Sequence, residues 1–186
     1  MSSLPRARPP EDRFIHALYD YRHPLVKRVI WKLKYKNAKD VAECFADSLL
    51  EEIIAVLDEE LLVFESEKPL IIPIPLHKKR LRERGYNQSD LIAKAVVAQG
   101  EQKIFDISTT ILRRVKETKS QVRSEKRTVR IKNLENSFIC DTPSLVRGRT
   151  IILIDDVTTT GATISSAKKA LIRANPKKIL AFTIAH

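Results

Sequence analysis

The chain has 186 residues, which is enough for one domain with a sizeable buried core. It carries 34 Lys and Arg residues against 23 Asp and Glu, and the net charge of +11 favours an anionic partner such as a nucleic acid, a phosphorylated metabolite or an acidic membrane. Its 2 cysteines, Cys44 and Cys140, form neither a metal-binding pattern nor a disulfide framework, so we expect two buried thiols and no metal centre built from side chains.

The first third of the chain is predicted to contain a polar leader and two helices. Residues 1–13 are rich in Pro, Arg and charge, and because they have little to bury we expect a mobile leader. Apolar residues at 3–4 spacing predict one helix from Pro24 and a second over 38–57, within an N-terminal helical part over residues 14–66. No stretch has the apolar length of a signal peptide or a membrane span, so we expect a cytoplasmic protein without a membrane partner.

The remainder of the chain, residues 67–186, alternates predicted strands and helices. "LIIPIPL" predicts a buried strand, "HKKRLRERGYNQ" a positively charged loop and residues 88–99 a helix. "STTILRRV" and "SFIC" predict short strands on either side of a long polar stretch, residues 116–133, which we expect to contain a mobile loop. "IILIDD" predicts a strand, residues 162–174 a helix and "KILAFTIAH" a last strand. This alternation predicts an α/β core with a parallel sheet flanked by helices, in a single domain over 14–186.

The segment "IILIDDVTTTGAT" places two adjacent acids at the end of an apolar strand. The carboxyl end of a central parallel strand is where such sheets bind ligands, so we expect Asp155 and Asp156 at the binding edge. Behind them, hydroxyls and backbone N–H groups at the start of a helix suit a phosphate dianion. The residues of this turn are Thr158, Thr159, Thr160, Gly161, Ala162 and Thr163. Ionised carboxylates accept hydrogen bonds from a vicinal diol, so one sugar phosphate would account for both halves of the segment.

A nucleotide hydrolase with a P-loop would also place an acidic strand at such a site, but the glycines of this chain exclude it. The chain contains 4 glycines, and none of them supplies the GxxxxGK[ST] or GxGxxG spacing. The sequence therefore favours a sugar phosphate site without a glycine-rich nucleotide loop, and a turn whose acids only cap the next helix stays open as the alternative.

"IILIDDVTTTGAT" resembles the phosphoribosyl pyrophosphate (PRPP) signature of type I phosphoribosyltransferases. Two further segments, "IPIPLHKKRLRERGYNQSDLIAKAV" and "LRRVKETKSQVRSEKRTVRIKNLENSF", resemble the ComF family of competence-associated, amidophosphoribosyltransferase-like proteins. "YRHPLVKRVIWKLKYKNAKDVA" is similar to the stretch that these proteins carry before the first core strand. The resemblance implies a type I phosphoribosyltransferase fold, magnesium-dependent binding of PRPP and a link to DNA uptake during competence.

The resemblance assigns the predicted site to the parts of PRPP. It implies that Asp155 and Asp156 bind the ribose hydroxyls and take part in catalysis, and that the threonine turn around Gly161 binds the 5′-phosphate. The loop after the first core strand would hold pyrophosphate, with Lys79 and Arg80 as its cations. The magnesium ion would be carried chiefly by substrate oxygens, so no dedicated protein cage is expected.

The polar stretch that follows the strand around Arg114 is interpreted as a lid over the leaving group. Departure of pyrophosphate builds negative charge on that group, which nearby cations stabilise. Arg114 and Lys119 are the catalytic candidates here, and a solvated surface stays open as the alternative for each charge. The full set of candidates is Arg114, Lys116, Lys119, Gln121 and Arg127.

Arg84, Asn87 and Gln88 lie in the R-G-[FY]-N-Q motif that the chain shares with the ComF family. Bracing of the loop–helix junction is the alternative to a role in the site. The chain departs from the family in lacking the four-cysteine zinc ribbon that members often carry. Any contact that this ribbon would make with a partner or with DNA is therefore missing or is made by another chain. Threonine at position 159 argues against hypoxanthine or guanine as the acceptor, because purine-salvage transferases use an aspartate there.

Two functions stay open on the sequence alone. The first is an enzyme that transfers the phosphoribosyl group of PRPP to an amine or a base. The second is a non-catalytic competence protein that keeps the PRPP pocket and binds single-stranded DNA, with other competence proteins as partners. The charge of +11 suits both functions. Trp31, Tyr35 and Tyr86 are the aromatic residues next to basic clusters, and we expect them to pack in the core rather than to stack on bases.

Overall fold

The architecture is that of a computed structural model, which describes residues 4–8, 10, 12–35, 38–60, 67–100, 104–116 and 136–186. Its helices are α1 (Pro24–Tyr35), α2 (Ala38–Glu59), α3 (Lys78–Arg84), α4 (Gln88–Gln99) and α5 (Ala162–Ile172). Its strands are β1 (Ile15–Tyr19), β2 (Leu70–Pro73), β3 (Asp106–Ile107), β4 (Leu112–Arg114), β5 (Phe138–Cys140), β6 (Thr150–Val157) and β7 (Lys178–Ala185). None of the helices in these ranges is both long enough and apolar enough to cross a bilayer.

A parallel sheet of five strands forms the centre of the fold, in the order β1, β7, β6, β2, β3. β6 lies in the middle, with Leu153 opposite Ile72 of β2 on one side and opposite Ala181 of β7 on the other. Residues 150–154 are all buried, as expected for a parallel strand that is covered on both faces. The predicted parallel sheet is therefore confirmed, and the carboxyl end of β6 lies at the edge where such sheets bind ligands.

Helices cover both faces of this sheet. On one face, α1, α2 and α4 pack around Phe45, Ile92 and Phe182. On the other face, α5 packs against the antiparallel pair of β4 and β5, with Ile164 close to Phe138 in one apolar cluster. The helices predicted from 3–4 spacing, α1, α2, α4 and α5, are confirmed, because each buries the apolar face that its spacing defines.

The chain before α1 contains a strand where we expected only helical structure. Ile15–Tyr19 forms β1, which pairs in parallel with β7 at the edge of the sheet. The preceding segment runs along it, with the backbone N–H of Ala7 donating to the carbonyl of Leu18 at 3.1 Å. A strand of five residues beside a polar leader gives too short a pattern to distinguish it from the start of the next helix.

A helix also replaces the loop predicted for the basic segment after β2. α3 spans Lys78–Arg84 and ends at Gly85, whose φ is 83°. His77 precedes it and its Nδ1 accepts a hydrogen bond from the backbone N–H of Lys79 at 3.4 Å. None of the α3 residues is buried, so the sequence lacks the apolar periodicity from which a helix is predicted.

The prediction of two buried thiols is wrong for one cysteine. Cys44 lies on α2 and is exposed, because the apolar face of α2 is formed by its neighbours such as Phe45. Cys140, the last residue of β5, is partly buried, and this burial raises the pKa of its thiol. Both are free thiols.

The turn between β6 and α5 depends on Gly161. Its φ of 69° lies in the left-handed region that favours glycine. A Cβ atom at this position would lie 3.1 Å from Oδ2 of Asp12 and 3.1 Å from Cδ1 of Ile15. The same Oδ2 of Asp12 accepts a hydrogen bond from the hydroxyl of Ser165 at 3.3 Å. The turn is therefore packed closely against the segment that leads into β1.

We predict that Gly161→Ala destabilises the protein more than Gly148→Ala does. Both glycines have positive φ, so alanine at either position brings backbone strain of about 1–2 kcal/mol. Only position 161 adds contacts at 3.1 Å, whereas no described atom lies within 4 Å of a Cβ at position 148. Urea unfolding should give a loss of about 1 kcal/mol for Gly148→Ala and at least about 2 kcal/mol for Gly161→Ala. Equal losses would contradict the close packing of the turn.

Candidate functional site

A cleft of about 720 Å³ opens at the carboxyl end of β6. Its walls come from the end of α1, the chain that leaves β2, α3, the start of α4, β4 and the start of α5. The polar residues that line it are Lys34, Tyr35, Arg80, Glu83, Arg84, Tyr86, Gln88, Arg114, Asp155, Asp156 and Thr163. The fold thus brings the two predicted acids together with cations that are distant in the sequence.

Asp155 is held by the described residues through one of its two carboxylate oxygens. Its Oδ1 accepts hydrogen bonds from the hydroxyl of Ser89 and from the backbone N–H of Asp156, each at 2.9 Å. No donor in the described part of the chain bonds to Oδ2 of Asp155. The Ser89 bond fixes the side chain, so that the second oxygen has a defined position in the cleft.

Asp156 is engaged by the protein through both of its oxygens. Oδ1 accepts a hydrogen bond from the backbone N–H of Val157 at 2.9 Å. Oδ2 accepts one from the side-chain amide of Gln88 at 3.3 Å and forms an ion pair with Nζ of Lys34 at 3.0 Å. The side chain of Asp156 is only 8% exposed, so this ion pair satisfies a carboxylate that water hardly reaches.

The two acids affect each other's charge. Burial raises the pKa of Asp155 to about 7, and the negative charge of Asp156 acts in the same direction. The Ser89 hydroxyl, the backbone N–H of Asp156 and the Lys34 ammonium act in the opposite direction, because each of them stabilises the ionised form. The carboxyl group of Asp155 therefore gains or loses a proton near neutral pH, and Lys34 shifts its pKa toward the charged state.

The R-G-Y-N-Q motif connects three elements around the acids. The hydroxyl of Tyr86 donates to the carbonyl of Leu33 at 3.1 Å, which holds the end of α1. The amide of Asn87 donates to the carbonyl of Ile74 at 3.0 Å, which holds the chain that leaves β2. Asn87 thus has the bracing role that was kept as an alternative, whereas Gln88 reaches the site through Asp156.

The threonine turn uses two hydroxyls to close itself. Thr158 Oγ1 accepts from the backbone N–H of Gly161 at 3.1 Å, and Thr160 Oγ1 lies 3.4 Å from the backbone N of Ala162, which donates to it. Two of the N–H groups expected to bind a phosphate thus have neutral partners inside the turn. Charge-assisted bonds are roughly twice as strong as neutral ones, so a phosphate would exchange these bonds for stronger ones. Thr163 lines the cleft.

Three arginines line the cleft with the acids. Arg80, predicted for the pyrophosphate, and Arg114, a catalytic candidate, come from α3 and β4. The guanidinium of Arg114 lies 5.4 Å from the ring centroid of Phe138. Burial lowers the pKa of Arg114, and the negative charge of Asp155 acts against this effect. Arg84 of the R-G-Y-N-Q motif is the third cation.

The other predicted residues lie elsewhere. Thr159 is exposed at the turn, and Lys79 of α3 is not part of the cleft wall. Lys119, Gln121 and Arg127 fall outside the described residues, together with most of the stretch interpreted as a lid, so their roles stay predictions.

Sequence reasoning missed three residues of the site. Ser89 directly follows the R-G-Y-N-Q motif and is buried despite its hydroxyl, so its position next to Gln88 was a usable signal. Tyr86 belongs to the motif itself, and its hydroxyl has a defined acceptor. Lys34 gave no local signal, because its partner Asp156 lies on an element far along the chain.

A metal ion would need oxygens from its ligand here. Among the described residues, no group of three or more His, Cys, Asp or Glu side chains could hold a metal ion. Two neighbouring carboxylates offer fewer oxygens than octahedral Mg²⁺ requires. Any magnesium ion in the described cleft would therefore have to be coordinated mainly by oxygens of its ligand and by water.

Comparison with known proteins gives the family of the chain. A phosphoribosyl transferase domain matches residues 89–186. The DNA utilization protein YhgH of Salmonella typhi is 31% identical over 165 residues, covering 89% of this chain and 68% of the relative. The YhgH protein of Escherichia coli (strain K12) is 28% identical over 165 residues, with the same coverage. The competence protein ComFC of Bacillus subtilis (strain 168) is 26% identical over 170 residues, covering 90% of this chain and 62% of the relative.

The matched domain includes part of the cleft but not all of it. It contains Asp155, Asp156, Arg114 and the threonine turn, whereas Lys34 and the R-G-Y-N-Q motif precede it. The similarity to the relatives extends over nine-tenths of the chain or close to it. The chain belongs to the phosphoribosyl transferase domain family and, within it, to the ComF family of competence-associated, phosphoribosyltransferase-like proteins.

Proposed function

We propose that the protein is a cytoplasmic phosphoribosyltransferase of the ComF family that binds PRPP with its magnesium ion and acts in DNA uptake. The observation that carries the proposal is the cleft in which Asp155 and Asp156 lie together with Arg80, Arg84 and Arg114. A diol needs acceptors and a diphosphate needs cations, and the described cleft offers both. PRPP combines these groups with a 5′-phosphate, for which the turn at the start of α5 offers N–H groups and hydroxyls.

The charges of the cleft also suit the chemistry of transfer. As the bond between the anomeric carbon and the diphosphate breaks, positive charge grows on the ribose ring and negative charge on the leaving group. Asp155, placed beside the ribose hydroxyls, would stabilise the ring, while Arg80 and Arg114 would stabilise the diphosphate. The magnesium ion, when bound with PRPP, neutralises part of the diphosphate charge. An amine or a base then forms the new bond to the anomeric carbon.

The link to DNA uptake rests on the relatives. Proteins named for DNA utilization and for competence are similar to this chain over 89% and 90% of its length. This similarity supports a role in the same process, with other proteins of the competence machinery as partners.

A second candidate function, binding of single-stranded DNA without catalysis, is favoured by an aromatic surface on α1. Trp31 is 52% exposed and Tyr35 is 61% exposed, with ring centroids 5.3 Å apart. The expectation that these two rings pack in the core is wrong, because α1 buries Val26, Ile30 and Leu33 instead. Rings that remain in water beside each other offer a surface on which bases can stack.

Cations accompany these rings. The guanidinium of Arg84 lies 5.8 Å from the ring centroid of Tyr35. Lys27, Arg28 and Lys32 are exposed on the same helix. Single-strand binding combines cations for the phosphates with aromatic rings for the bases, and α1 presents both.

For the first proposal, we predict that magnesium–PRPP binds the wild type and binds the double variant Asp155→Asn, Asp156→Asn at least about 100-fold more weakly. Hydrogen bonds to charged groups contribute about 1.5–3 kcal/mol each, and the variant removes the charge of both acceptors. Isothermal titration calorimetry at neutral pH measures the affinity, and circular dichroism establishes that the variant is folded.

The matched control is the double variant Asp47→Asn, Asp58→Asn, which removes the same charge from exposed positions of α2 outside the cleft. It should bind as the wild type does. Equal binding by the Asp155→Asn, Asp156→Asn protein, or no binding by the folded wild type, would refute the PRPP site. Pyrophosphate release with a broad set of amines and bases then separates a transferase from a PRPP-binding protein.

For the second candidate, the protein offers a built-in probe, because Trp31 is its 1 tryptophan. We expect single-stranded oligothymidylate to quench the fluorescence of Trp31 as a base stacks on it. Stacking contributes about 1–3 kcal/mol per base, so the double variant Trp31→Ala, Tyr35→Ala should bind a labelled oligonucleotide about 10-fold to 100-fold more weakly.

The control for this experiment is Ile172→Ala, which shortens another exposed apolar side chain on α5. Fluorescence anisotropy of the labelled strand should give the same affinity for this variant and the wild type. Unquenched Trp31 together with an unchanged affinity of the aromatic double variant would reject the α1 surface.

A further inference from the structure

Lys34 forms a buried contact with the acidic pair from outside the matched transferase domain. Its Nζ lies 3.0 Å from Oδ2 of Asp156, with side-chain exposures of 26% for Lys34 and 8% for Asp156. Removing two charges from water is costly, so such a pair persists only where its geometry is good. Gln88 donates to the same Oδ2 at 3.3 Å, so two donors meet at one oxygen.

The position of Lys34 is determined by packing rather than by a flexible chain. It lies in the last turn of α1, next to Leu33, which is fully buried. The carbonyl of Leu33 accepts the hydrogen bond from the hydroxyl of Tyr86 at 3.1 Å. The same motif that sends Gln88 to Asp156 thus also holds the backbone beside Lys34.

We propose that Lys34 is a positioning residue whose ion pair with Asp156 presents the acidic pair to the ribose of PRPP as two carboxylates. This inference rests on the proposed PRPP site and adds α1 to it. It assigns to the helical part of the chain a role in the affinity for PRPP that acts through Asp156.

The electrostatics of the cleft support this role. Burial and the charge of Asp156 both favour a proton on Asp155, and the Lys34 ammonium opposes it. The donors from α4, Gln88 and Ser89, and Thr163 at the start of α5 are uncharged. The charged groups that line the cleft with the acids are Lys34, Arg80, Glu83, Arg84 and Arg114. Of these, Lys34 is the one seen in direct contact with Asp156.

The first test needs no ligand. Carbon-13 NMR of the aspartate carboxyl groups, assigned with Asp155→Asn and Asp156→Asn, follows the titration of the pair in the free protein. In Lys34→Met, which keeps the length of the side chain and removes its charge, the apparent pKa values of the pair should rise by about one unit or more. An unchanged titration would overturn the proposal. Lys39→Met, which removes an exposed charge from α2, is the control and should leave the titration unchanged.

The second test measures the affinity for magnesium–PRPP against pH. At pH 7 we expect Lys34→Met to bind at least about 5-fold more weakly than the wild type, because a larger fraction of the pair carries a proton. At pH 9 the acids ionise without Lys34, so the difference should largely disappear. Lys34→Arg, which restores a positive charge, should recover most of the affinity at pH 7.

The two tests separate this inference from the proposed function. If the wild type does not bind magnesium–PRPP, the proposed function fails, while the NMR titration still decides whether Lys34 sets the charge of the acids. If Lys34→Met binds weakly at pH 7 and equally weakly at pH 9, Lys34 contacts the ligand itself, and the positioning role is refuted.

Discussion

The whole site depends on two like charges that lie side by side at the end of the central strand, β6. A strand in the middle of a parallel sheet has neighbours on both edges and helices on both faces, and at the end of β6 the side chain of Asp156 is only 8% exposed. Asp155 and Asp156 could not remain there as carboxylates without donors. Ser89, Gln88 and Lys34 supply those donors, and each comes from a helix that the fold brings to this end of β6.

The need for these donors explains why residues that are far apart in the sequence come together at the carboxyl end of β6. The short segment around Asn87 contacts the end of α1, the exit of β2 and the acids in three successive residues. Because one segment makes all three contacts, a shift of α4 would alter α1 and the acids together. The N-terminal helices are therefore connected to the ligand site through hydrogen bonds as well as through the apolar core.

The sequence pattern was sufficient to predict a structural element where neighbouring residues determine that element. The apolar run that ends in Asp155 and Asp156 defines a buried strand, and the 3–4 spacing of α2 defines its buried face. The roles given to the acids follow from the resemblance to a known signature, and the geometry adds which oxygen of each acid is engaged.

The sequence was less informative where a residue's role depends on a partner far along the chain. α3 has no buried residue, so its helix leaves no apolar pattern. Trp31 and Tyr35 look like core residues by type, and only the packing of α1 shows that they remain in water. Lys34 is one lysine among many in a basic helix, and nothing short of the tertiary fold distinguishes it from its neighbours.

The two edge strands of the five-stranded sheet, β1 and β3, limit how the protein can bind other chains. At one edge, the segment before β1 runs along β1. The backbone N–H of Ala7 donates to the carbonyl of Leu18 at 3.1 Å, and the backbone N–H of Asp20 donates to the carbonyl of Pro5 at 3.0 Å. At the other edge, β3 has only 2 residues. Exposed strand edges are where sheets extend into neighbouring molecules, and a covered edge and a very short one both discourage this. Association by strand addition at the two edges of the five-stranded sheet is thus disfavoured.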